Sequence, residues 1–402
     1  MILLEQDIHA RPDLLARAWR PGQPSFALLA ERSDLSESWL NQALAQLPEP
    51  LRHDHMLIAT SGSTGAPKMV VANRVRAEAL ARVIARAQHV DAAQDRVQNM
   101  VIALPISYCF ALVNQWVLAH IHDLPMTFGG FSQPDRLAQI LEQAEDSMIC
   151  LVGAQAGLLR LLGDSRRFAN VRRVAFAGSP FPWGQAALLK RLFPNARFYN
   201  NYGCAEAMPR LVVTEVTENL RRGDPGLPGL LGQPLPGIRF RTTPQAALQF
   251  QSDYAALGYV TPEGYAPFAA DGWIDTGDCA EQDDRLGWVL QGRSSEVFKR
   301  HGEKVSPARL ARTIEEIWPH PFALLRRQDR AGEAGLALAL EGAADRAAAR
   351  NMLKAIRDRH PRAYWPLRIL RFDTFPRLRN EKIDIATLES LCEQDVLWDQ
   401  RV

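Results

Sequence analysis

The sequence is poor in cysteine and has no long hydrophobic run. Its five cysteines are scattered through 402 residues without a Cys-x-x-Cys pair, which argues against a disulfide framework and against a zinc site. No segment offers the roughly 20 apolar residues that a membrane helix needs. A short apolar stretch precedes Glu5 and Asp7, whereas a secretory signal needs a basic start and a longer apolar run. We therefore expect a cytoplasmic protein without a membrane partner.

The sequence also lacks an excess of charge of either sign. It has 47 basic and 45 acidic side chains, which gives a net charge of +2. The arginines near the C-terminus, such as Arg357 and Arg359, lie among aspartate and apolar residues and are typical of a solvated helix face. Because a nucleic-acid partner requires a basic patch, none is predicted. The length favours two or three domains.

Short apolar segments alternate with amphipathic ones between residues 56 and 201. Strands are predicted at 56–60, 69–71, 101–104, 147–152, 171–177 and 197–201, and helices at 74–88, 110–120, 155–162 and 183–192. Such alternation is typical of a mainly parallel sheet covered by helices, so the predicted class is α/β. Residues 8–50 have amphipathic helical patterns, with loops near 21–22 and 33–38.

A segment dense in glycine and proline, residues 223–237, ends this alternation. The short alternating strands that follow predict a small β-rich subdomain over about 223–291. Beyond it, helices near 307–318 and 344–359 are mixed with strands. We therefore predict a large domain of residues 1–291 and a small α+β domain of residues 292–402.

Residues 61–68 are the first candidate for binding chemistry. They supply three hydroxyls, two glycines and one lysine between two predicted strands. Glycines let backbone N–H groups approach an anion, the hydroxyls add donors and the lysine adds charge, so the loop suits a phosphate. The alternative is an ordinary Ser/Gly turn in a β-hairpin. The spacing GxxxxGK[ST] is absent, which excludes a P-loop NTPase.

The loop resembles that of a known superfamily. Residues 60–68 read TSGSTGAPK, similar to the [ST]SGSTGxPK loop of the adenylate-forming enzymes, namely acyl- and aryl-CoA synthetases, adenylation domains of nonribosomal peptide synthetases, and firefly luciferase. The resemblance implies a small mobile C-terminal domain and the use of ATP with Mg²⁺. It implies a catalytic role for Lys68 and ATP contacts for the other loop residues Thr60, Ser61, Gly62, Ser63, Thr64 and Gly65.

A second motif, NYGCAE, resembles the YGxTE motif of the same superfamily. The resemblance implies that Tyr202 and Gly203 contact the adenine nucleotide and that Glu206 helps to hold Mg²⁺, a hard cation that prefers oxygen ligands. Ala205 replaces the usual threonine and removes one donor to the α-phosphate. The alternative is a core tyrosine followed by a surface glutamate.

Two further segments resemble the ribose-binding and hinge motifs. In GWIDTGD, Asp278 would accept hydrogen bonds from the ribose hydroxyls, and in the following GRSSEVFKRHG segment Arg293 would contact the ribose. Ser295 takes the hinge position, where the family usually has Asp or Lys, and Gly302 would line the approach of an acceptor thiol. Ordinary turns and a polar interdomain linker are the alternatives.

The last motif, PRLRNEKID, is similar to PRTxxGKxxR. It implies that Lys382 is the adenylation lysine, which bridges the substrate carboxylate and the α-phosphate, with Glu381 in place of the usual glycine. The segment before Thr60 is shorter than in the family. Five motifs in the family's order predict that ATP activates a carboxylic acid as its acyl adenylate, with release of pyrophosphate and later transfer to a thiol.

The acid pocket is predicted to be apolar. Members of the superfamily that activate amino acids carry an aspartate for the α-ammonium, whereas the corresponding segment here, LPISYCFAL, has no acidic residue. We therefore expect an aryl or fatty acid and not an amino acid. The candidate pocket residues, each of which could instead be an ordinary core residue, are Tyr108, Phe110, Phe176, Gly178, Ser179, Cys204 and Met208.

The acceptor of the acyl group stays open. The phosphopantetheine of an acyl carrier protein in a secondary-metabolite pathway is the first candidate, and free coenzyme A is the alternative. The departures at Ala205, Ser295 and Glu381, together with the short N-terminal segment, motivate a third hypothesis, a catalytically silent nucleotide-binding relative.

Overall fold

The structure, a computed structural model, describes residues 1–30, 35–59, 68–163, 165–318, 320–377, 383–391 and 395–400. The chain divides into two units. The first comprises Met1–Thr243, Leu248–Thr276 and Gln282–Trp288, and the second comprises Pro244–Ala247, Gly277–Glu281 and Val289–Val402. Each unit has hydrophobic clusters of its own, which include Phe176 and Leu57 in the first and Leu338 and Leu370 in the second.

The first unit begins with a mixed sheet and its covering helices. The elements in chain order are β1 (Ile2–Leu4), α1 (Glu5–Ala10), α2 (Asp13–Trp19), β2 (Phe26–Leu29), α3 (Glu37–Ala45), β3 (His55–Ala59), β4 (Met69–Asn73) and α4 (Arg74–Ala87). Strands β1, β2 and β3 pair in parallel, and β4 pairs antiparallel with β3. The side chain of Asn73 accepts the Arg76 N–H at 3.1 Å, which starts α4 directly at the end of β4.

A second, mainly parallel sheet follows. Its elements are β5 (Asn99–Ile102), α5 (Cys109–Ala111), α6 (Leu118–Ile121), β6 (Met126–Phe128), α7 (Pro134–Gln143), β7 (Ser147–Val152), β8 (Val171–Ala177), α8 (Ala186–Leu192), β9 (Arg197–Tyr202), β10 (Val212–Glu215) and α9 (Thr217–Arg222). The strand order is β10-β9-β8-β7-β5-β6, with β10 antiparallel and the others parallel. Parallel neighbours require crossover connections, which the intervening α-helices supply, except between β7 and β8, where 3₁₀ turns take their place. The predicted α/β class is confirmed.

Short strands occupy the chain after this sheet. They are β11 (Leu230–Gly232), β12 (Ile238–Thr242), β13 (Ala247–Ser252), β14 (Gly258–Thr261), β15 (Gly264–Pro267), β16 (Ile274–Asp283) and β17 (Gly287–Arg293). Strands β14 and β15 extend the first sheet, because β14 pairs antiparallel with β4. The other five form a sheet in the order β11-β17-β16-β13-β12.

The rest of the second unit is an α+β structure. Its elements are β18 (Phe298–Arg300), β19 (Glu303–Val305), α10 (Pro307–Ile317), β20 (Phe322–Gln328), β21 (Ala334–Glu341), α11 (Arg346–Arg359), β22 (Arg368–Phe372), α12 (Ile385–Ser390) and β23 (Asp395–Asp399). A sheet in the order β20-β21-β22-β23 packs against α10 and α11 through a shared hydrophobic cluster. Side-chain caps from Ser306 and Asp345 begin the two helices.

Two expectations about secondary structure are corrected. The helical prediction for residues 8–50 is wrong at Phe26–Leu29, where four fully buried apolar residues form β2 between two parallel strands. A short apolar run has no periodicity that separates a buried strand from a buried helix. The predicted helix at 110–120 contains a π-helical segment, Leu112–Val117, whose side chains are all buried. Short 3₁₀ turns occur at Glu49–Leu51, Gly153–Gln155, Gly157–Leu162, Trp183–Gln185, Ala205–Ala207 and Arg362–Tyr364.

Membrane insertion has no support among the helices. In the described ranges, none of them is both long and apolar enough to cross a bilayer.

Candidate functional site

The carboxyl ends of the parallel strands gather several of the predicted site residues in the first unit. Tyr108 follows β5, Gly178 and Ser179 follow β8, and Tyr202 ends β9. Because neighbouring parallel strands end at the same edge of a sheet, the loops after them lie side by side, the usual position of ligand sites in such sheets. The Gly153 N–H, just after β7, donates to Ser179 Oγ at 3.1 Å and ties two of these loops together.

Gly203 lies where the chain turns back after β9. A Cβ atom at this position would meet the Pro209 carbonyl oxygen at 1.9 Å, so only glycine fits. Glu206 follows in the 3₁₀ turn Ala205–Ala207, and its carbonyl oxygen accepts the Ala256 N–H at 2.9 Å. The close backbone approach and this hydrogen bond together fix the position from which the Glu206 carboxylate projects.

The Glu206 carboxylate belongs to a cluster with Tyr259 and Lys68. The Tyr259 hydroxyl donates to Glu206 Oε1 at 2.5 Å, and the Lys68 Nζ lies 4.4 Å from the centroid of the Tyr259 ring. The antiparallel pairing of β4 with β14 sets Val70 opposite Tyr259, which brings the start of β4 to this ring. Burial, followed by the hydrogen bond to Glu206, raises the pKa of Tyr259, so its hydroxyl stays protonated and remains a donor.

The donor set suits a magnesium ion that is bound mainly through phosphate oxygens. Glu206 is half-buried, and Tyr259 occupies only one of its two carboxylate oxygens in the described structure. Across the described residues there is no group of three or more His, Cys, Asp or Glu side chains arranged to hold a metal. Mg²⁺ often binds through one or two carboxylates plus substrate phosphates and water, so a single carboxylate fits that mode.

The predicted acid-pocket residues differ in their surroundings. Tyr108 is 53% exposed, Phe110 and Cys204 are half-buried, and Met208 is fully buried with its Sδ 4.0 Å from Cys109 Sγ. The side chain of Phe176 packs in a core cluster, with its ring 5.3 Å from the ring of Phe181. Gly178, with φ of +77°, and the exposed Ser179 form the turn after β8.

A buried arginine lies beside these residues. Arg210 is 1% exposed, and its guanidinium stands 4.9 Å from the centroid of the Phe110 ring. Its Nε and Nη2 donate to Asn114 Oδ1 at 3.3 and 2.9 Å. A buried cation therefore lies against one of the predicted pocket residues, and the prediction of an apolar pocket did not include it.

The predicted ribose-binding residues form an ion pair in the second unit. Arg293 Nε lies 3.2 Å from Asp278 Oδ1, and the Arg293 side chain is 59% exposed whereas that of Asp278 is 12% exposed. The exposed Ser295 follows Ser294, whose N–H and Oγ–H donate to the Gly277 carbonyl at 2.9 and 3.0 Å. The turn with the predicted hinge position is thus anchored to β16 one residue before that position.

Gly302 lies at the tip of the β18–β19 hairpin. His301 and Gly302 have φ of +50° and +81°, the signs of a two-residue turn with positive φ at both positions. The His301 N–H donates to Glu333 Oε1 at 2.7 Å, and its ring Nδ1 lies 3.1 Å from Glu333 Oε2. The predicted thiol-contacting loop is therefore a tight and exposed turn braced by one carboxylate.

Several predicted residues lie outside the described part of the chain. These are Thr60, Ser61, Gly62, Ser63, Thr64, Gly65, Glu381 and Lys382. The strands on either side of the 60–67 segment, β3 and β4, are antiparallel neighbours, with Ala59 opposite Met69. A P-loop connects a strand to a helix, so this connection agrees with the exclusion of that class from the sequence.

Comparison with protein-family models identifies the family of the chain. The family described as AMP-binding enzyme matches residues 12–249, more than half of the chain. The chain belongs to the AMP-binding enzyme family. The resemblance to adenylate-forming enzymes that the motifs indicated is thereby confirmed.

The curated proteins that match part of the chain include a carrier-protein ligase. The D-alanine–D-alanyl carrier protein ligase of Staphylococcus aureus is 28% identical over 147 residues, which are 35% of this chain and 30% of that protein. The chain thus aligns with about a third of the length of these relatives.

Solved structures of AMP-binding enzymes share the fold. The o-succinylbenzoate CoA synthetase of Bacillus subtilis in complex with its acyl-adenylate has a TM-score of 0.69 at 17% identity, over 98% of this chain and 84% of that one. The anthranilate CoA ligase AuaEII in complex with anthranoyl-AMP has a TM-score of 0.66 at 16% identity, over 97% and 77%. At such identities the likeness is one of fold.

The sequence reasoning missed Tyr259 and Arg210. Tyr259 follows a glycine in a short strand and carries no local sign of its contact with Glu206, 53 residues earlier. Arg210 stands in the otherwise apolar run from Met208 to Val213, and a lone arginine in such a run is a sign of a buried charge.

Proposed function

We propose that this AMP-binding enzyme is an acid–thiol ligase that forms AMP. It would use ATP to convert a carboxylic acid into its acyl adenylate, release pyrophosphate, and transfer the acyl group to the phosphopantetheine thiol of an acyl carrier protein. The observation that carries the proposal is the cluster of Lys68, Tyr259 and Glu206, in which Glu206 follows the carboxyl end of β9 in the mainly parallel sheet. It combines a cation with a carboxylate suited to Mg²⁺ in a chain of the AMP-binding family.

The first step joins two anions, so the protein must position them and offset their charge. A carboxylate oxygen of the acid attacks the α-phosphorus of ATP, and the bond from that phosphorus to the pyrophosphate oxygen breaks. Mg²⁺, held through Glu206, would neutralise phosphate charge. Lys68 adds a positive charge at the start of β4, and we assign the bridge between the acid and the α-phosphate to Lys382.

In the second step the thiol sulfur, after losing its proton, attacks the acyl carbon and AMP leaves. We assign Gly302 to the approach of the thiol and Ser295 to the hinge of the movement between the steps. The turn at Gly302 has open space around its Cα, since a Cβ atom there would meet no atom within 4 Å. Such room suits the narrow arm of phosphopantetheine.

One comparison supports a carrier protein as the acceptor of the acyl group. Curated relatives that match part of the chain include D-alanine–D-alanyl carrier protein ligases. Coenzyme A is the second candidate, because two enzymes of the same fold are CoA ligases by name. Supplying holo-carrier protein and coenzyme A separately decides between them, and turnover with coenzyme A alone contradicts the carrier-protein proposal.

We also propose that the acid is not an amino acid. An α-ammonium group buried in a pocket needs a carboxylate partner. The cation Arg210 lies beside Phe110 in the pocket region, and the described part of the chain gives it an amide as hydrogen-bond partner instead of an acid. A cation at this position repels an ammonium group.

The test is acid-dependent exchange of pyrophosphate into ATP over a panel of aryl, fatty, dicarboxylic and amino acids. We expect Lys382→Ala to reduce exchange by at least about 100-fold, the scale for loss of a group that stabilises transition-state charge. The exposed Lys354 on α11 provides the control, and Lys354→Ala should retain wild-type exchange.

Two outcomes would count against the proposal. Exchange in Lys382→Ala equal to that of the wild type refutes the role of Lys382. No exchange with any acid in the panel, from a folded wild-type protein that binds ATP, supports the silent nucleotide-binding relative instead.

A further inference from the structure

Arg210 is a buried cation whose direct contacts in the described structure are all uncharged. Only 1% of it is exposed, and it contacts the amide oxygen of Asn114 and the face of the Phe110 ring. No carboxylate among the described residues lies within ion-pair distance of its guanidinium. Burying a charge without an opposite charge is strongly unfavourable, so such a group is normally paired.

The titratable groups nearest to Arg210 do not supply the missing charge. They are the thiols of Cys109 and Cys150, and burial raises the pKa of both, that of Cys150 to about 12. Both thiols are therefore neutral near pH 7. Burial also lowers the pKa of Arg210 to about 10, which leaves its guanidinium protonated.

Of the other buried arginines in the described residues, Arg173 and Arg74 have acidic partners, whereas Arg300, 2% exposed, donates to the Trp365 carbonyl and to Gln400 Oε1. Arg173, with no exposed surface, donates to Asp95 Oδ2 at 3.0 Å and to four backbone carbonyls. Arg74 pairs with Asp54 at 2.9 Å. Arg173 and Arg74 are thus compensated within the fold, as is usual for structural buried charges. Arg210 lacks such a partner, and it differs from Arg300 in lying against Phe110, a predicted acid-pocket residue.

A buried polar network fixes the direction of the Arg210 guanidinium without neutralising it. Asn114, on the π-helical segment, donates through Nδ2 to Gln88 Oε1 at 3.2 Å, and Gln88 Nε2 donates to Asn201 Oδ1 at 3.2 Å. Asn201 directly precedes Tyr202 of the nucleotide-binding motif. π-Helical segments are frequent at functional sites, where they place side chains that a regular helix would not.

We propose that Arg210 binds a second carboxylate of the acid substrate, so that the substrate is a dicarboxylic acid. One carboxylate is activated by ATP, and the other pairs with the guanidinium beside the Phe110 ring. The inference rests on the proposed function, because it names the class of acid for the same site. The proposal changes the expected acid pocket from a purely apolar one to one in which a buried guanidinium binds the second carboxylate.

The test compares matched acids in pyrophosphate exchange. Adipate, suberate, terephthalate and isophthalate are each set against the monocarboxylic acid of the same length or ring: hexanoate, octanoate and benzoate. We expect the best dicarboxylic acid to exceed its monocarboxylic partner in kcat/KM by at least about tenfold, which corresponds to about 1.4 kcal/mol of binding in the transition state.

Two substitutions test whether Arg210 causes that preference. Arg210→Met removes the charge, and Asn114→Asp keeps the volume while placing a carboxylate against the guanidinium. Both should lower the ratio of dicarboxylic to monocarboxylic kcat/KM by about tenfold or more. Asn114→Asp keeps the test decisive if Arg210→Met does not fold. The control is Arg173→Met, which removes an equally buried but paired arginine and should leave the ratio unchanged.

The possible failures are distinguishable. A ratio near one in the wild-type protein, with measurable exchange for both classes of acid, overturns the dicarboxylic substrate and leaves the proposed ligase standing. A dicarboxylic preference that persists in both variants overturns the role of Arg210. Absence of exchange with every acid contradicts the proposed ligase itself.

Discussion

At the scale of single residues, the candidate site depends on the close contacts between the side chains of Lys68, Tyr259 and Glu206. The Tyr259 hydroxyl holds one oxygen of the Glu206 carboxylate at 2.5 Å. We expect this hydroxyl to position that carboxylate, because it contacts Glu206 directly. A hydrogen bond to a charged group contributes about 1.5–3 kcal/mol, enough to affect how the proposed Mg²⁺ ligand is oriented.

The residue-scale prediction concerns the dependence on Mg²⁺. Glu206→Gln should raise the Mg²⁺ concentration that gives half-maximal pyrophosphate exchange and lower the maximal rate by about 100-fold, because a neutral amide is a poorer ligand for a hard cation. Tyr259→Phe should raise the Mg²⁺ requirement by about threefold to tenfold, with a smaller loss of maximal rate.

Tyr265→Phe is the matched control for Tyr259→Phe. Tyr265 lies on the neighbouring strand β15, and its hydroxyl donates to the Leu257 carbonyl at 3.1 Å. This variant should keep the wild-type Mg²⁺ dependence. An unchanged Mg²⁺ dependence in both Glu206→Gln and Tyr259→Phe would contradict the proposal that Glu206 binds Mg²⁺.

At the scale of secondary-structure elements, the short helix α1 supports the segment that precedes Tyr108, one of the predicted acid-pocket residues. The Glu5 carboxylate is buried and accepts the Ile106 N–H at 2.7 Å and the Ser107 Oγ–H at 2.9 Å. Tyr108 and the helical run that carries Asn114 follow directly. The N-terminal helix therefore helps to fix residues 106–107, directly before a predicted pocket residue, even though it contains none of the predicted site residues.

The element-scale prediction is that Glu5→Ala weakens the contact between α1 and residues 106–107 and so destabilises the protein. Removal of the Glu5 carboxylate leaves the Ile106 N–H and the Ser107 hydroxyl without a charged acceptor, so the free energy of unfolding should fall by about 1–3 kcal/mol. Denaturant unfolding followed by circular dichroism measures the change. The control is Gln6→Ala on the exposed face of α1, which should stay within about 0.5 kcal/mol of the wild type. A Glu5→Ala protein as stable as that control would contradict the supporting role.

At the scale of the whole molecule, each unit has a buried histidine that favours its neutral form. In the first unit, His55 Nδ1 lies 2.6 Å from the His53 carbonyl, and its Nε2 lies 3.2 Å from Asn73 Nδ2. In the second unit, His360 Nε2 lies 2.7 Å from Thr313 Oγ1. Burial lowers the pKa of both imidazoles below the ordinary value of 6.5.

The whole-molecule prediction is that stability falls on mild acidification. A lowered pKa in the folded state means that the unfolded chain binds protons first as the pH drops through 6.5. Stability is therefore full above that value and is lost as the pH falls toward the lower, folded pKa, by at most about 1.4 kcal/mol per pH unit for each histidine.

Denaturant unfolding from about pH 7.5 to about pH 5.5 measures this dependence, in a range where most carboxylates stay ionised. His360→Gln should reduce the part of the pH dependence of the unfolding free energy that arises from the second unit. His320→Gln, at an exposed position, serves as the control and should leave the slope unchanged. A slope that is the same in His360→Gln and the wild type would contradict the assignment.

The sequence by itself determined the fold class and the family. The strands at 147–152 and 171–177 have continuous apolar runs, and a parallel sheet buries such runs on both faces, so local pattern is enough to find them. The segments TSGSTGAPK and NYGCAE are similarly local, since a phosphate loop or a tight turn needs its glycines at fixed neighbouring positions. Motifs of this kind specify chemistry without knowledge of long-range contacts.

Only the tertiary structure decided which distant side chains meet. The contact of Tyr259 with Glu206 spans 53 residues, that of Arg210 with Asn114 spans 96, and that of Glu5 with Ile106 spans 101. Such pairs are set by strand order and by packing between elements, which hydrophobic periodicity does not encode. The prediction of an apolar pocket therefore did not include Arg210 beside Phe110, because the burial of Arg210 arises from the fold around it and not from its neighbours in sequence.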